Sequence, residues 1–439
     1  MRIPVAEAAR VLGARLVGGD TAVCDAVSYD SRTLSRGNLF AAIVAARDGH
    51  DFVEDAVRAG CAAVLVSREI PACGVPQMIV GDTSVALTQL GRWARQRLAA
   101  GVDGRVVGIT GSVGKTTTKD FVAAALRARY VVGASEKSLN NDQGMPVTLL
   151  NAPDDAQALV LEMGMRGFGE IARLAELARP DIGIVTRVGE SHSERVGGVD
   201  GVAKAKSELV RAIPADGTAI LNADDPRVAA MRGLTTSACV TFGASADADM
   251  RIGTVVAHGS TGVSFSYASK WGNGDCTLSV PGAHMVSNAA AALLAAAVCG
   301  VNLDAAAVEL SGAVLSPMRM AVHHIGGHTV VDDSYNASPT STIAALETLA
   351  SLPAGHRVAV LGTMAEIDDT ERRHREVTRR AEELGIEVVA FGTDLYGTRR
   401  IDSYDEAVQL IRGLKEGSAV LLKGSRVVGL DHVMRLIRG

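Results

Sequence analysis

The chain has 439 residues, of which 47% are hydrophobic and only 3% aromatic, and its formal charge is −5 at neutral pH. That length exceeds one ordinary hydrophobic core and implies about three domains. The charge balance gives no electrostatic case for nucleic acid or an anionic membrane as partner.

The segment after Met1, "RIPVAEAARVLGARL", has an amphipathic pattern without the apolar core of a signal peptide. Through the first hundred residues short strands and helices alternate. "VSYDSR", "GNLFAAI", "AAVLVS" and "QMIVG" read as strands and "HDFVEDAVRAG" as a helix. "TSVALTQLGRWARQRLAA" is expected to be a long amphipathic helix starting at a Thr/Ser cap, and "GVDGR" at 101–105 a hinge.

From "VVGIT" onward the strands are short and continuously apolar: "ALVLEM", "IGIVTRV" and "AILNA". Such runs alternating with helices imply a parallel sheet covered on both faces. Between 238 and 280 the texture changes to turn-separated strands ("VTFG", "RIGTVVAHG", "GVSFSYAS", "CTLSV"), expected to be antiparallel additions to that sheet. The oily run "AAAALLAAAVC" at 289–299 is too short and too Ala-rich to span a bilayer and reads as a buried helix. "SPMR" near 316 marks a second boundary, beyond which "HTVVDDSY", "RVAVLGTM", "EVVAFG" and "AVLLKGS" alternate with helices. The six cysteines (24, 61, 73, 239, 276 and 299) form no CxxC pair and sit mostly among apolar neighbours, as reduced thiols of a cytoplasmic protein would.

The fold class expected is therefore α/β in three domains. Residues 1–101 would form a mixed α/β domain, 102–314 a central P-loop domain whose parallel sheet carries the antiparallel appendage, and 315–439 a smaller Rossmann-like domain.

The chemistry starts at "GITGSVGKTTTKD", residues 108–120. After a strand, the N–H groups of a Gly-rich turn and of the following helix N-terminus can cradle phosphate oxygens. Gly111, Ser112, Gly114, Lys115, Thr116 and Thr117 make up the cradle. Lys115 would bring charge to the β/γ-phosphates, and the Thr116 hydroxyl could bind Mg²⁺. The GxxxxGK[ST] spacing is not met, since position 109 is Ile; the loop is TGSxGKT, opening at Gly111.

Other residues point to chemistry beyond nucleotide binding. Glu162 ends a buried strand, where a bare carboxylate needs a partner such as a metal; an exposed strand-end acid is the plainer alternative. His192 in "TRVGESHSERVGG" lies just past another strand, at the edge where open α/β sheets bind ligands, although a lone loop histidine is often incidental. In the helical "GVAKAKSELV", Lys204 and Lys206 fall on different faces, and surface solvation would account for both.

Together these pieces resemble the Mur ligase family, ATP-dependent amide-bond formers of cell-wall synthesis. TGSxGKT, Glu162, and His192 followed by AK-S-E carry the resemblance in the middle of the chain. "SYDSRTLSRGNLFAAI...DGHDF", "LNNDQGMPVTLL", "DDSYNASPTS" and "VLLKGSR" carry it on either side, from about residue 25 to the end. The resemblance implies ATP and Mg²⁺ as cofactors, with Thr116, Glu162 and His192 toward magnesium. It implies Lys206 as the lysine that the family carbamylates with CO₂, another anion orienting the metal. Asn288, Arg319 and Asp333 match nucleotide contacts, while Ser31, Arg32, Asn140, Asn141 and Asn336 fall in substrate-binding segments. Lys115, His192 and Lys206 would be the catalytic set.

The branch most resembled takes a UDP-linked muramoyl-tripeptide as acid and D-Ala-D-Ala as amine, and a soluble monomer without a membrane span is expected. Three positions depart from its pattern. Arg187 and Ser193 stand in "TRVGESHSE" where the family has TNxGxAHLE, and Thr363 replaces the acid of LGDMxELG. These changes allow a second reading, a related synthetase joining another acid and amine. A nucleotide-dependent binding protein would not need Glu162, His192 and Lys206 together. A folylpolyglutamate-synthase-like ligase would lack the "SYDSR...DGHDF" block.

Overall fold

The computed structural model describes residues 1–136 and 138–438. Contacts divide the chain into two compact units that do not follow chain order. One comprises residues 1–108, 129–164 and 170–182; the other comprises 109–128, 165–169 and 183–439.

The first unit contains a five-stranded sheet ordered Arg15–Val17, Gln77–Ile79, Ala63–Val66, Leu39–Ala41, Val27–Ser28. Only its first pair is antiparallel. Phe40, Val64 and Val66 pack with Val53 and Ala56 of the neighbouring helix to make a small core. "VSYDSR" is a strand only through Ser28, because the Ser28 hydroxyl then bonds Asp30 and closes a turn. The long helix Thr83–Arg97 is capped by Asp82 rather than by Thr or Ser. The Asp82 carboxylate accepts the Ser84 and Val85 N–H groups, while the Thr83 hydroxyl donates to the Ala42 carbonyl. Segment 101–105 is tied down: Val102 is buried, and Arg105 donates to the Gly101 and Gln157 carbonyls.

The large sheet has nine strands, ordered Gly272–Leu278, Val263–Ser269, Met250–Ala257, Ala238–Gly243, Thr218–Asn222, Ile182–Val185, Val106–Thr110, Ala158–Glu162, Val132–Ala134. The apolar strands are fully buried, as their composition predicts. The expectation of antiparallel strands from 238 onward needs correction. Ala238–Gly243 runs parallel to Thr218–Asn222, and Met250 still pairs parallel to Phe242. Antiparallel pairing begins one strand later, between Met250–Ala257 and Val263–Ser269. The Ala-rich run lies in the buried helix His284–Val298, which packs on Lys115–Arg127 within the second unit.

The rest of the second unit carries a six-stranded sheet ordered Ala321–Ile325, His328–Asp332, Ala419–Lys423, Arg357–Gly362, Glu387–Phe391, Arg399–Ile401. All pairs are parallel except the first. The edge strand Ala321–Ile325 is not legible from composition, since His323 and His324 interrupt its apolar run and none of its residues is fully buried. All six cysteines are free thiols. Among the described residues no helix is long and apolar enough to cross a membrane.

Candidate active site

In the second unit the phosphate loop leaves strand Val106–Thr110 and enters helix Lys115–Arg127. Its curvature needs glycine at two places. Gly111 has φ +153°, and a Cβ there would lie 1.9 Å from the Thr186 hydroxyl. Gly114 has φ +81°, and its Cβ would meet Asn288 Oδ1 at 2.5 Å. The loop is braced from outside. Thr186 donates to the Val113 carbonyl at 2.7 Å, and Arg187 accepts the Ser112 N–H through its carbonyl at 2.7 Å. The Ser112 hydroxyl exchanges hydrogen bonds with the Gly189 backbone. Ser112 therefore shapes the loop through both its N–H and its hydroxyl. Lys115 folds back so that its ammonium donates to the Gly111 carbonyl at 2.7 Å. Thr116 and Thr117 are buried in the first helical turn, and Asn288 accepts a hydrogen bond from the Thr118 hydroxyl at 3.2 Å.

Lys206 projects from helix Val199–Ala212 into the interior and is 2% exposed, whereas Lys204 on the same helix is exposed and lies over the Phe168 ring. Burial, and then the charge of Lys115, push the Lys206 amine well below the usual lysine range. His192 has a left-handed backbone, φ +65°, directly before the short helix Ser193–Val196. Burial lowers its pKa most strongly. The Glu366 carboxylate opposes that shift, and Lys115, Lys206 and Arg195 add to it. The unit thus gathers Lys115, Lys206 and a neutral imidazole around the phosphate loop.

Further along the same unit, the Arg319 guanidinium stacks 4.2 Å over the Tyr335 ring, between two left-handed residues, Met318 and Met320. Asp333 accepts the Met320 N–H at 3.2 Å and forms a close ion pair with Lys423. Lys423, 2% exposed, also donates to the Asn336 carbonyl at 2.9 Å. Lys423 is a further candidate, missed by sequence reasoning, through its contacts with Asp333 and Asn336. Its signal is a charged residue ending the otherwise apolar strand "AVLLK", since a buried lysine requires a partner.

The first unit holds the remaining candidates. Glu162 is 1% exposed and accepts a hydrogen bond from the Asn140 amide at 2.8 Å. Asn141 uses its side chain to accept the Gly144 N–H at the start of helix Gly144–Leu150. Arg32 is exposed and forks onto Asp30 at 2.9 and 2.7 Å, beside Ser31.

These groups fit a nucleoside triphosphate with magnesium. Crowded cationic side chains around a glycine cradle call for a polyanion. In the second unit, a buried hydroxyl and a neutral imidazole are oxygen and nitrogen donors suited to a metal that also takes phosphate oxygens, and the buried Glu162 carboxylate of the first unit is by its chemistry a donor of the same kind. Among the described residues no group of three or more His, Cys, Asp or Glu converges to hold a metal by itself. Phosphate oxygens and further oxygen donors are then needed to complete the shell.

Fold and loop together define a P-loop α/β enzyme with a second, mostly parallel sheet of six strands. The models of the Mur ligase middle domain and of the Mur ligase glutamate ligase domain match residues 109–296 and 318–426. The UDP-N-acetylmuramoyl-tripeptide–D-alanyl-D-alanine ligase of Bacillus subtilis is 34% identical, over 94% of this chain and 93% of that protein. The crystal structure of MurF from Acinetobacter baumannii superposes with a TM-score of 0.86 at 28% identity, covering 100% of this chain and 99% of that one. MurF from Thermotoga maritima, solved with ADP, gives 0.79 at 26% identity over 94% and 96% of the two chains. The chain belongs to the Mur ligase family. It is an ATP-dependent ligase with that family's three-domain architecture.

Proposed function

We propose that the chain joins the terminal carboxylate of a UDP-N-acetylmuramoyl-tripeptide to the amine of D-Ala-D-Ala, with ATP as energy source, in peptidoglycan-precursor synthesis. The observation that carries this reading is the extent of the likeness. It covers the terminal segments as well as the ATP-binding middle, over nearly the full length of a relative named for that reaction. The domains would be 1–101 for the UDP-linked acid, 102–314 for ATP and 315–439 for the amine. The free thiols support a cytoplasmic setting, and a monomer is the expected state.

Chemically, the acid's carboxylate oxygen takes the γ-phosphoryl group and ADP departs. The amine nitrogen then attacks the acyl carbon, phosphate leaves, and the amine loses a proton. Lys115 and the loop N–H groups neutralise phosphate charge during the first step, a task of positioning and electrostatics. Thr116, Glu162, His192 and Lys206 are the residues that would hold magnesium, which when bound spreads the charge of the transferring phosphoryl. The Lys206 environment suits carbamylation. A lysine held neutral by burial keeps a lone pair that can attack CO₂, and losing one proton leaves a carbamate anion where an ammonium would repel the metal. Gly111, Gly114, Thr117, Asn288, Arg319 and Asp333 would line the nucleotide, with Ser112 shaping the loop. Ser31, Arg32, Asn140, Asn141 and Asn336 would face the peptide substrates.

The deciding assay supplies ATP, Mg²⁺, UDP-N-acetylmuramoyl-tripeptide and D-Ala-D-Ala and tracks the pentapeptide product by mass spectrometry. Pentapeptide with matching phosphate release is expected. Phosphate release with other acid and amine pairs, but no pentapeptide, would overturn the substrate pair and leave the chemistry standing.

A further inference from the structure

The segment 189–195 has neighbours on two sides within the second unit. Toward the phosphate loop, Gly189 is bonded to the Ser112 hydroxyl. Toward the C-terminal part, Glu190 pairs with Arg373 at 3.2 Å and accepts from the Thr340 hydroxyl at 3.3 Å. The Asp368 N–H reaches the fully buried Ser193 hydroxyl at 3.4 Å.

Glu366 makes the closest set of contacts. Its carbonyl accepts the His192 N–H at 3.0 Å. One carboxylate oxygen lies 2.7 Å from His192 Nδ1, and the other lies 3.1 Å from the Arg195 guanidinium. Nδ1 is shielded from solvent, and in this ring orientation the 2.7 Å approach of the Glu366 carboxylate is an ion-pair contact and not an aligned hydrogen bond. Both residues are left-handed, His192 at φ +65° and Glu366 at φ +58°. Side chains other than glycine persist in that region only where their surroundings hold them. Here two such turns face each other and touch through backbone and side chain alike.

A neutral imidazole carries its proton on one nitrogen and offers the other as a ligand. A carboxylate at Nδ1 fixes the proton there and leaves the lone pair on Nε2. Carboxylates set the tautomer and ring angle of many metal-bound histidines in this way.

We propose that Glu366 is a positioning residue for the magnesium site, holding His192 so that Nε2 is presented to the metal only while segment 363–369 is seated on segment 189–195. The inference rests on the reading of His192 as a metal ligand and extends it. It links metal affinity at the phosphate loop to the seating of the amine-side part of the enzyme, and Arg195 keeps the second carboxylate oxygen occupied.

The test measures Mn²⁺ binding to the full-length chain by electron paramagnetic resonance, in the presence of a non-hydrolysable ATP analogue. The variants are Glu366→Ala, Glu366→Gln, His192→Ala and the double alanine variant. Glu366→Ala should raise the Mn²⁺ Kd by roughly ten- to a hundredfold. Glu366→Gln keeps an acceptor and the side chain's size, so its Kd should rise only severalfold; it decides the matter should the alanine variant not fold. The double variant should bind no more weakly than His192→Ala, since Glu366 acts through that ring. Unchanged affinity in the Glu366 variants, beside a weakened His192→Ala, overturns the positioning role. So do losses that add in the double variant. Unchanged affinity in His192→Ala removes the ligand reading itself, and this inference with it.

Discussion

Replacing Gly114 by alanine probes how the phosphate loop is built. The backbone at 114 is left-handed, with φ +81° and ψ −6°, which costs an alanine about 1–2 kcal/mol. The new methyl would lie 2.5 Å from Asn288 Oδ1, so the amide must turn away and release the Thr118 hydroxyl now bonded to it at 3.2 Å. Thr118 is fully buried, and leaving such a group unpaired costs about 1–3 kcal/mol. Together the two effects amount to about 2–5 kcal/mol, or a midpoint lowered by roughly 4–20 °C for a domain of this size. Gly104→Ala is the control, because Gly104 is also left-handed, at φ +68°, but nothing lies within 4 Å of its Cβ. It should show the backbone effect alone. Thermal unfolding of both variants and titration with a fluorescent ATP analogue measure the difference. Gly114→Ala should lose at least tenfold in nucleotide affinity, and Gly104→Ala should keep it. Equal midpoints for the two variants, with nucleotide affinity intact in both, would refute the argument that Asn288 and Gly114 form one packed unit.

Two further perturbations separate chemistry from architecture. Lys206→Ala should lose most ligation activity and, if the proposed carbamate forms there, regain part of it with formate or acetate, which place a carboxylate in the same space; Lys204→Ala, over the exposed Phe168 ring, should ligate normally, and full activity in Lys206→Ala would defeat the assignment. Asp48 is held at a pKa of about 2, first by the His50 N–H, then by the His50 ring and Arg68, against burial. Its folded pKa lies below the unfolded one. Its contribution is therefore complete above about pH 4 and disappears as the pH falls toward 2. Asp48→Asn should unfold at a lower temperature than the natural protein at pH 7, with the gap closing between pH 4 and 2; a gap that stays constant with pH would show that the carboxylate's charge is not the cause.

The range of the forces involved decides how much of this is legible in the sequence. Strand Val106–Thr110, the TGSxGKT turn and the helix after it are readable because local residue types dictate them: an apolar run, glycines for left-handed turns, a helix start. Lys206 is separable from Lys204 only by the resemblance, since spacing puts them on different faces without saying which faces inward. Edge strands such as Ala321–Ile325 and Arg399–Ile401 escape notice although each pairs with a neighbour close in sequence, because the histidines of one and the arginines of the other break the apolar pattern that marks a strand. Asp82 escapes as a helix cap because Thr83 is an equally good candidate on sequence alone, until tertiary structure gives its hydroxyl to Ala42.

Ser193 and Thr363, read from sequence as departures from the family pattern, acquire different meanings from their surroundings. Ser193 is fully buried and its hydroxyl accepts the Asp368 N–H, so the polar replacement joins segment 189–195 to the 363–369 loop. Thr363 accepts the Ser425 N–H through its backbone carbonyl, a contact any residue could make, so its side chain is not what holds the loop in place. A different side chain at 363 therefore leaves this contact in place, whereas the serine at 193 bears on how the loop is seated. Recognition and seating are separable here because Glu366, three residues beyond Thr363, makes the contact with His192. A change of amine preference at 363 could then leave the nucleotide chemistry intact, which is why the product assay, and not phosphate release alone, has to decide the substrate pair.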